Sequence, residues 1–379
     1  MSDGLQALVA ARPVWTRVAR AGEVLALQGR TLLHAGPPFV DPRKPCAPVL
    51  SSAVLACIYE GWAKSEDEAE RLIASGDVRL EPAQSRRCVT PLAAIVSPST
   101  TMIVVEDAAG QAPPAYAPLG TTGGPDLRFG TRERGILDRL ALRDSAQAAT
   151  LGRALAEPIE LLPIARAALE QGDDLHNRTT AATAALVARI EARLPRSDSL
   201  IEAVKATPLW FLTFWMAAAK LMLSAAEGKA PGTLITRMGG NGVAFGVALA
   251  GAPDRWITVS AEAPRGPCLP NADKNAKAVG AIGDSAVIDA LGFGGQALEY
   301  APEPRDALRP YLTGDPAEVA RTLLQAPHPA FASKSVGVDV ETIRRMKTVP
   351  IVTLGMVEAS GTRGLLGRGV FRPPLPLFE

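Results

Sequence analysis

The stretch TPLWFLTFWMAAA at residues 207–219 is apolar on every side, and it predicts a helix that is buried among other elements. Thr207 and Pro208 suit the N-cap and the first position of this helix, and Gly228 suits its end. The run is followed by Lys220 and is too short to cross a bilayer, which needs about 20 apolar residues. The rest of the chain must therefore supply enough apolar surface to enclose this helix.

The length and composition are those of a folded protein with more than one domain. The 379 residues exceed the ceiling of about 250 to 300 residues for one hydrophobic core. Hydrophobic residues at 47% and charged residues at 21% exclude an intrinsically disordered chain. The formal net charge of +1 supplies no diffuse basic field, so neither nucleic acid nor a membrane is an expected partner.

The N-terminal third predicts strands, helices and one long loop. Val24–Leu33 predicts a hairpin around a glycine turn. Helical spacing at residues 51–75 predicts two helices, with Ser65 as the N-cap of the second. Thr101–Glu106 is rich in β-branched residues and predicts a buried strand, which leads into a Pro/Gly-rich loop at Ala108–Pro125.

The remainder of the chain changes from helical to strand-rich patterns. Residues 131–195 carry almost no strand signal and predict helices, of which the last spans about Asp173 to Leu194. Beyond Gly232, VAFGVAL and DRWITVS predict a second hairpin, and VPIVTLGMV at residues 349–357 predicts a buried strand.

These patterns together predict an α+β fold with three domains. Two α/β-type domains, residues 1–130 and 201–379, would flank a small helical domain at residues 131–200. No internal repeat interrupts this order.

Cysteine and histidine spacing indicates neither a metal site nor a disulfide framework. There is no C-x-x-C pair, and the three histidines are spread along the chain. Neither a P-loop nor a Rossmann glycine pattern occurs, so we expect no metal and no cofactor. The start MSDGLQALVAARPVW lacks the basic and apolar regions of a secretory signal, which favours a cytoplasmic protein with free thiols. The cysteines are Cys46, Cys57, Cys88 and Cys268.

The segment GDDLHNR at residues 172–178 concentrates ionisable and amide side chains at a predicted helix start. Free backbone N–H groups and Arg178 would suit an anion, and Asn177 could add a hydrogen bond to it. His176 is the candidate proton carrier, with Asp174 as the second candidate catalytic residue. The alternative is that the acids only cap the helix and that His176 is a buried histidine between domains.

Two glycine clusters are further candidates for substrate binding. Arg237 precedes Gly239, Gly240 and Asn241, whose backbone N–H groups could form an anion nest. Gly283, Asp284 and Ser285 stand before a predicted helix, where they could equally form a plain turn or an N-cap.

Several motifs together resemble a bacterial family long known as a domain of unknown function, which is similar to a subunit of oxamate carbamoyltransferase. The resemblance implies a multidomain α+β fold and the phosphorolysis of a ureido acid, in which oxalurate and phosphate give oxamate and carbamoyl phosphate. It also implies a multisubunit enzyme of purine-derived nitrogen catabolism, with an acyl-CoA-synthetase-like partner subunit. The motifs are HAGPP (34–38), EGWA (60–63), GDDLHNRTTAAT (172–183), NGVAFGVALAGAPDRWIT (241–258), IGDSAVIDALGFGG (282–295) and RGVFRPPLPLFE (368–379).

The chain departs from the family pattern in two places. Residues 84–94 lack a histidine and a Gly-Pro-Met-Ala-Gly run, and residues 120–124 lack a carboxylate that would precede Leu127-Arg128-Phe129-Gly130. Either the substrate has changed, or catalysis has been lost and the chain serves as a scaffold or partner subunit.

The prediction is a carbamoyltransferase-like enzyme, or a subunit of one, that acts on a small ureido or amide acid. His176 would carry the proton, and Arg128 and Arg178 would bind anions. The expected partners are the small anionic substrate and either further copies of this chain or other subunits. Ala108–Pro125 is the predicted part of that subunit contact.

Overall fold

The apolar run of the sequence forms the central helix of the fold in a computed structural model. The structure describes residues 1–194, 199–273, 275–332 and 334–379; residues 195–198, at the end of the predicted helical segment, lie outside the described residues. None of the helices in the described part of the chain has the length and apolarity that a bilayer crossing requires.

Helices occur along the whole chain. Ser65 caps one of them by accepting a hydrogen bond from the backbone N–H of Glu68, as predicted. The helices are α1 (Asp3–Ala10), α2 (Ala21–Val24), α3 (Ala47–Tyr59), α4 (Glu66–Ser75), α5 (Gly135–Leu142), α6 (Ala148–Ala154), α7 (Leu162–Glu170), α8 (Thr180–Glu191), α9 (Ser199–Lys205), α10 (Phe211–Ser224), α11 (Ala286–Leu291), α12 (Pro302–Leu308), α13 (Pro316–Leu323) and α14 (Val340–Met346).

The strands are short and form several small sheets. They are β1 (Pro13–Arg20), β2 (Thr31–His34), β3 (Arg79–Pro82), β4 (Thr101–Asp107), β5 (Ala115–Pro118), β6 (Ile159–Glu160), β7 (Ile235–Asn241), β8 (Ala244–Leu249), β9 (Ala252–Ser260), β10 (Ile282–Gly283), β11 (Leu324–Pro327), β12 (Ser335–Val338), β13 (Val352–Val357) and β14 (Leu365–Phe371).

Two antiparallel sheets of four strands are the largest. Their strand orders are β5-β4-β1-β6 and β10-β7-β8-β9. Smaller pairs complete the set: β11 with β12 and β13 with β14 are antiparallel, and β2 with β3 is parallel.

Helix α10 lies at the centre of the main hydrophobic cluster. All 14 of its residues are buried, and the helix contacts both four-stranded sheets and α11. Trp15 of β1 packs edge-on against Phe214 at 4.7 Å between ring centroids, and Phe293 does the same against Trp215 at 5.2 Å. Complete burial of each such side chain stabilises the fold by about 1.5–3 kcal/mol.

Most of the elements predicted from local patterns are confirmed. The two helices α3 and α4, the strand β4, the β8–β9 hairpin and the strand β13 all lie where the sequence places them. The central helix also forms, although it begins at Phe211 instead of Pro208. The structure therefore has a mixed α/β architecture with several small sheets. The division into three domains stays a prediction.

Three local predictions are wrong. Val24–Leu33 is not a hairpin, because only its first residue belongs to α2 and its last three belong to β2, which pairs in parallel with the distant β3. Ala108–Pro125 is not one loop, since β5 forms inside it and pairs with β4. The helix predicted from Asp173 begins only at Thr180.

Candidate functional site

A cavity of about 100 Å³ is lined by residues that lie far apart in the sequence, from Pro91 to Arg368. Its walls come from the loop before α8, the start of α11, the strands β13 and β14, and two N-terminal segments. Polar side chains share the walls with leucines and prolines. The lining residues are Pro91, Leu92, Arg128, Phe129, His176, Asn177, Leu209, Leu212, Ser285, Thr353, Leu354, Gly355, Leu365, Gly367 and Arg368.

The side chain of Asp174 fixes the loop that carries His176. Its Oδ1 accepts hydrogen bonds from the backbone N–H groups of His176 and Arg178, both at 2.9 Å. Its Oδ2 accepts from Asn177 Nδ2 at 2.7 Å. These bonds replace helical ones and hold Leu175 at a φ of 66°, so α8 cannot start here. Asp174 therefore positions His176 instead of facing the cavity itself.

His176 lies against the buried carboxylate of Asp289. Its Nδ1 is 2.9 Å from Asp289 Oδ2 and 3.0 Å from Thr353 Oγ1. Burial raises the pKa of Asp289, while the neighbouring His176 acts in the opposite direction. Because Nδ1 has these partners, Nε2 is the ring nitrogen available to a bound molecule, and a proton can be taken up or released there.

Two arginines line the same cavity. Arg128 Nε lies 3.3 Å from Asp126 Oδ2, so part of its charge is already paired. Arg368 Nη1 donates to the carbonyl oxygen of Asn177 at 2.6 Å. No carboxylate lies within 4 Å of the Arg368 guanidinium among the residues that the structure describes. Arg368 consequently keeps donors for an anionic ligand.

Ser285 faces the cavity because Asp284, its neighbour, is anchored in the interior. Asp284 is completely buried, and its carboxylate accepts from the backbone N–H groups of Gly36 and Thr90 at 2.8 and 3.0 Å. Gln84 Nε2 donates to the same carboxylate at 2.6 Å. Burial raises the pKa of Asp284 to about 7, against the effect of these donors. Gly283 adopts a φ of 121°, which places its backbone against Leu92.

Three predicted binding residues lie elsewhere. Arg178 pairs with Asp173 at 2.6 Å and approaches Glu303 at 3.8 Å, and it does not line the cavity.

Arg237 donates to Asp254 at 2.9 Å, and Asn241 binds backbone groups that include the carbonyl of Pro37. Their side chains are occupied within the protein, and the binding roles predicted for them stay untested.

The structure also brings in residues that the sequence did not single out. Asp289, Thr353 and Arg368 belong to the site, yet Thr353 follows His176 by 177 residues. A polar residue inside an otherwise apolar helix, as Asp289 is in AVIDAL, was the only local signal. In the described ranges, no group of three His, Cys, Asp or Glu side chains is arranged to hold a metal ion. Anion binding next to a proton carrier is what this arrangement supports.

Comparison with known proteins connects this geometry to a family. The profile of the family described as oxamate carbamoyltransferase subunit AllG matches residues 78–285. The chain is 29% identical to oxamate carbamoyltransferase subunit AllG of Escherichia coli (strain K12), with 97% of this chain and 93% of that protein covered.

Two further relatives carry no stated activity. The uncharacterized protein YahG of Escherichia coli (strain K12) is 27% identical, covering 100% of this chain and 83% of that protein. A crystal structure of a conserved protein of unknown function from Enterococcus faecalis V583 superposes with a TM-score of 0.91 at 25% identity, covering 99% of this chain and 94% of the other.

Proposed function

Because the chain belongs to the family of oxamate carbamoyltransferase subunits called AllG, we propose that it acts in carbamoyl transfer and that its cavity holds the reactants. The proposed substrate is a small ureido or amide acid of the oxalurate and oxamate type, together with phosphate or carbamoyl phosphate. The supporting observation is the combination of the His176–Asp289 pair with Arg128 and Arg368 in one small cavity.

The proposed reaction matches what this cavity offers. An oxygen of phosphate attacks the carbamoyl carbon, the bond from that carbon to the leaving nitrogen breaks, and a proton moves to that nitrogen. In this proposal His176 Nε2 supplies the proton, and the adjacent Asp289 stabilises the protonated ring. Arg128 and Arg368 bind the negatively charged groups and keep the reacting atoms close together.

The roles of the other cavity residues follow from their positions. Asn177 and Ser285 offer neutral hydrogen-bonding groups for the oxygen that gains charge at the carbamoyl carbon. Leu209, Leu212 and Leu354 form an apolar wall, which lowers the local dielectric and strengthens the arginine contacts.

Assembly with other subunits belongs to the same proposal. The family description names a subunit, and a stable contact should bury at least about 1,000 Å². Within the segment predicted for this contact, the exposed residues lie on either side of the buried β5, at positions 108, 110, 111, 113, 123 and 124. Light scattering at micromolar concentration should find a species larger than 39.6 kDa, either for this chain alone or after the partner subunit is added. A single species of 39.6 kDa under all conditions would contradict assembly.

Isothermal titration tests the proposed function directly. The full chain should bind oxamate and carbamoyl phosphate, and Arg368→Gln should weaken this binding roughly 10- to 100-fold, since it removes a charged hydrogen-bond donor. Arg189→Gln, on an exposed position of α8, is the control and should bind as the unchanged chain does. A chain that binds neither ligand would be a scaffold, and the proposal would fail.

A further inference from the structure

A second cavity of about 180 Å³ adjoins the first one and shares two of its residues, Asn177 and Arg368. Arg368 lines both compartments, and its Nη1 donates to the carbonyl oxygen of Asn177. We call the first compartment the inner cavity and the second the outer cavity. The outer cavity is lined by Asn177, Pro267, Cys268, Leu269, Pro270, Glu303, Pro304, Ala307, Leu308 and Arg368.

The outer cavity is chemically different from the inner one. Apart from the shared residues and the exposed Glu303, its lining consists of proline, leucine, alanine and cysteine side chains. The outer cavity is open to solvent, because Cys268, Leu269, Pro270 and Ala307 are exposed. An apolar cavity of about 150 Å³ in another protein accommodates a benzene ring, so the outer cavity is large enough for a group of that size.

Backbone pairing keeps the outer cavity next to Arg368. Cys268 forms a bridge to Gly367, and the N–H of Leu269 donates to the carbonyl of Leu366 at 2.7 Å. The segment from Pro267 to Pro270 is thereby held along β14, and Pro304 and Leu308 of α12 contribute to the lining. Backbone pairing therefore fixes the side of the outer cavity that lies along β14.

We propose that the outer cavity binds an apolar side chain of the substrate, whose carboxylate is held by Arg368. This inference rests on the proposed function and adds to its class of ureido acids an N-carbamoyl amino acid with a compact apolar side chain. The chemistry is that of carbamoyl transfer: the bond between the carbamoyl carbon and the amino nitrogen breaks, a phosphate oxygen bonds to that carbon, and the nitrogen takes up a proton.

A titration series tests the size of the group that is bound. N-Carbamoyl-L-leucine should bind the full chain at least about tenfold more tightly than N-carbamoylglycine, because its added carbons leave water. Ala307→Trp adds a large side chain to the lining of the outer cavity, and it should remove this preference without weakening the binding of N-carbamoylglycine or oxamate. Ala188→Trp, at an exposed position of α8, is the matched control and should keep the preference.

Cys268 gives a second readout that needs no activity. It is exposed, whereas Cys57 and Cys88 are buried and burial raises the pKa of Cys46 to about 11. Iodoacetamide should therefore modify Cys268 first, as mass spectrometry can show. N-Carbamoyl-L-leucine should slow this modification at least about fivefold, whereas phosphate and N-carbamoylglycine should leave the rate unchanged.

The outcomes separate the two proposals. The outer-cavity inference is overturned if the chain binds the leucine and glycine compounds with equal affinity, or if the preference for the leucine compound survives in Ala307→Trp. The proposed function still stands in either case, provided that the chain binds oxamate. The inference is also overturned if saturating N-carbamoyl-L-leucine leaves the rate of Cys268 modification unchanged. If neither oxamate nor carbamoyl phosphate nor any N-carbamoyl amino acid binds, the proposed function fails and this inference falls with it.

Discussion

Replacement of Asp284 by asparagine tests the buried anchor that positions Ser285 at the cavity. Asp284 is fully buried, and its carboxylate accepts hydrogen bonds from Gly36, Thr90 and Gln84. Burial nevertheless raises the pKa of Asp284 from 3.8 to about 7. The asparagine side chain would keep the shape and remove the titration.

The sign and size of the effect follow from this raised pKa. Between about pH 4 and pH 7 the unfolded chain releases the Asp284 proton while the folded chain retains it. The free energy of unfolding therefore falls as the pH rises through this window and is constant above it. The difference between a pKa of 3.8 and one of about 7 corresponds to about 4 kcal/mol, of which about 3 kcal/mol is lost between roughly pH 4.5 and 7.5.

Urea unfolding of the unchanged chain and of Asp284→Asn at a series of pH values measures this effect. The other titrating groups contribute equally to both proteins, so their contributions drop out of the difference in unfolding free energy. The stability of the unchanged chain relative to Asp284→Asn should decline by about 3 kcal/mol from roughly pH 4.5 to 7.5. A difference that stays flat, or that grows with pH, would show that the three donors outweigh burial, and the reasoning would be refuted.

Three further substitutions have defined outcomes. Asp289→Asn should lower kcat for carbamoyl transfer roughly 100- to 10,000-fold and alter its pH profile with little change in KM; a loss confined to KM would contradict its positioning role. Gly36→Ala places a Cβ 2.3 Å from a backbone carbon of β7 and should destabilise the chain by more than about 1 kcal/mol, whereas Gly110→Ala, with positive φ but open space, should cost less. Ser65→Ala should lower the free energy of unfolding by about 1 kcal/mol in urea, and an unchanged midpoint would disprove the cap.

Elements with strong local signals could be predicted from the sequence. Ser65 followed by three acidic residues marks the start of α4, and alternating apolar residues around a tight turn mark β8 and β9. At the glycine turn predicted within Val24–Leu33, Gly29 does adopt a positive φ of 60°. The strand that follows this turn, β2, was wrongly assigned to a hairpin, because a turn signal does not reveal that β2 pairs with the distant β3.

The candidate site was predictable only in part, for a similar reason. The sequence identified His176, Asn177, Arg128 and Ser285, which the structure brings to one cavity. It missed Arg368, because only the tertiary fold brings β14 to the loop that carries the histidine. Hydrogen bonds from backbone N–H groups of its own loop to the Asp174 side chain also move the helix start away from the predicted position. Helical periodicity in the sequence does not reveal such bonds.

A crystal structure of the full chain soaked with carbamoyl phosphate and oxamate tests the central claim most directly. The account predicts ligand density in the inner cavity, with anionic oxygens about 2.7–3.2 Å from the guanidinium groups of Arg128 and Arg368. His176 Nε2 should lie within hydrogen-bonding distance of the nitrogen of the bound amide. An empty inner cavity in crystals whose protein binds the ligands in solution, or ligand density bound at another place, would contradict the claim.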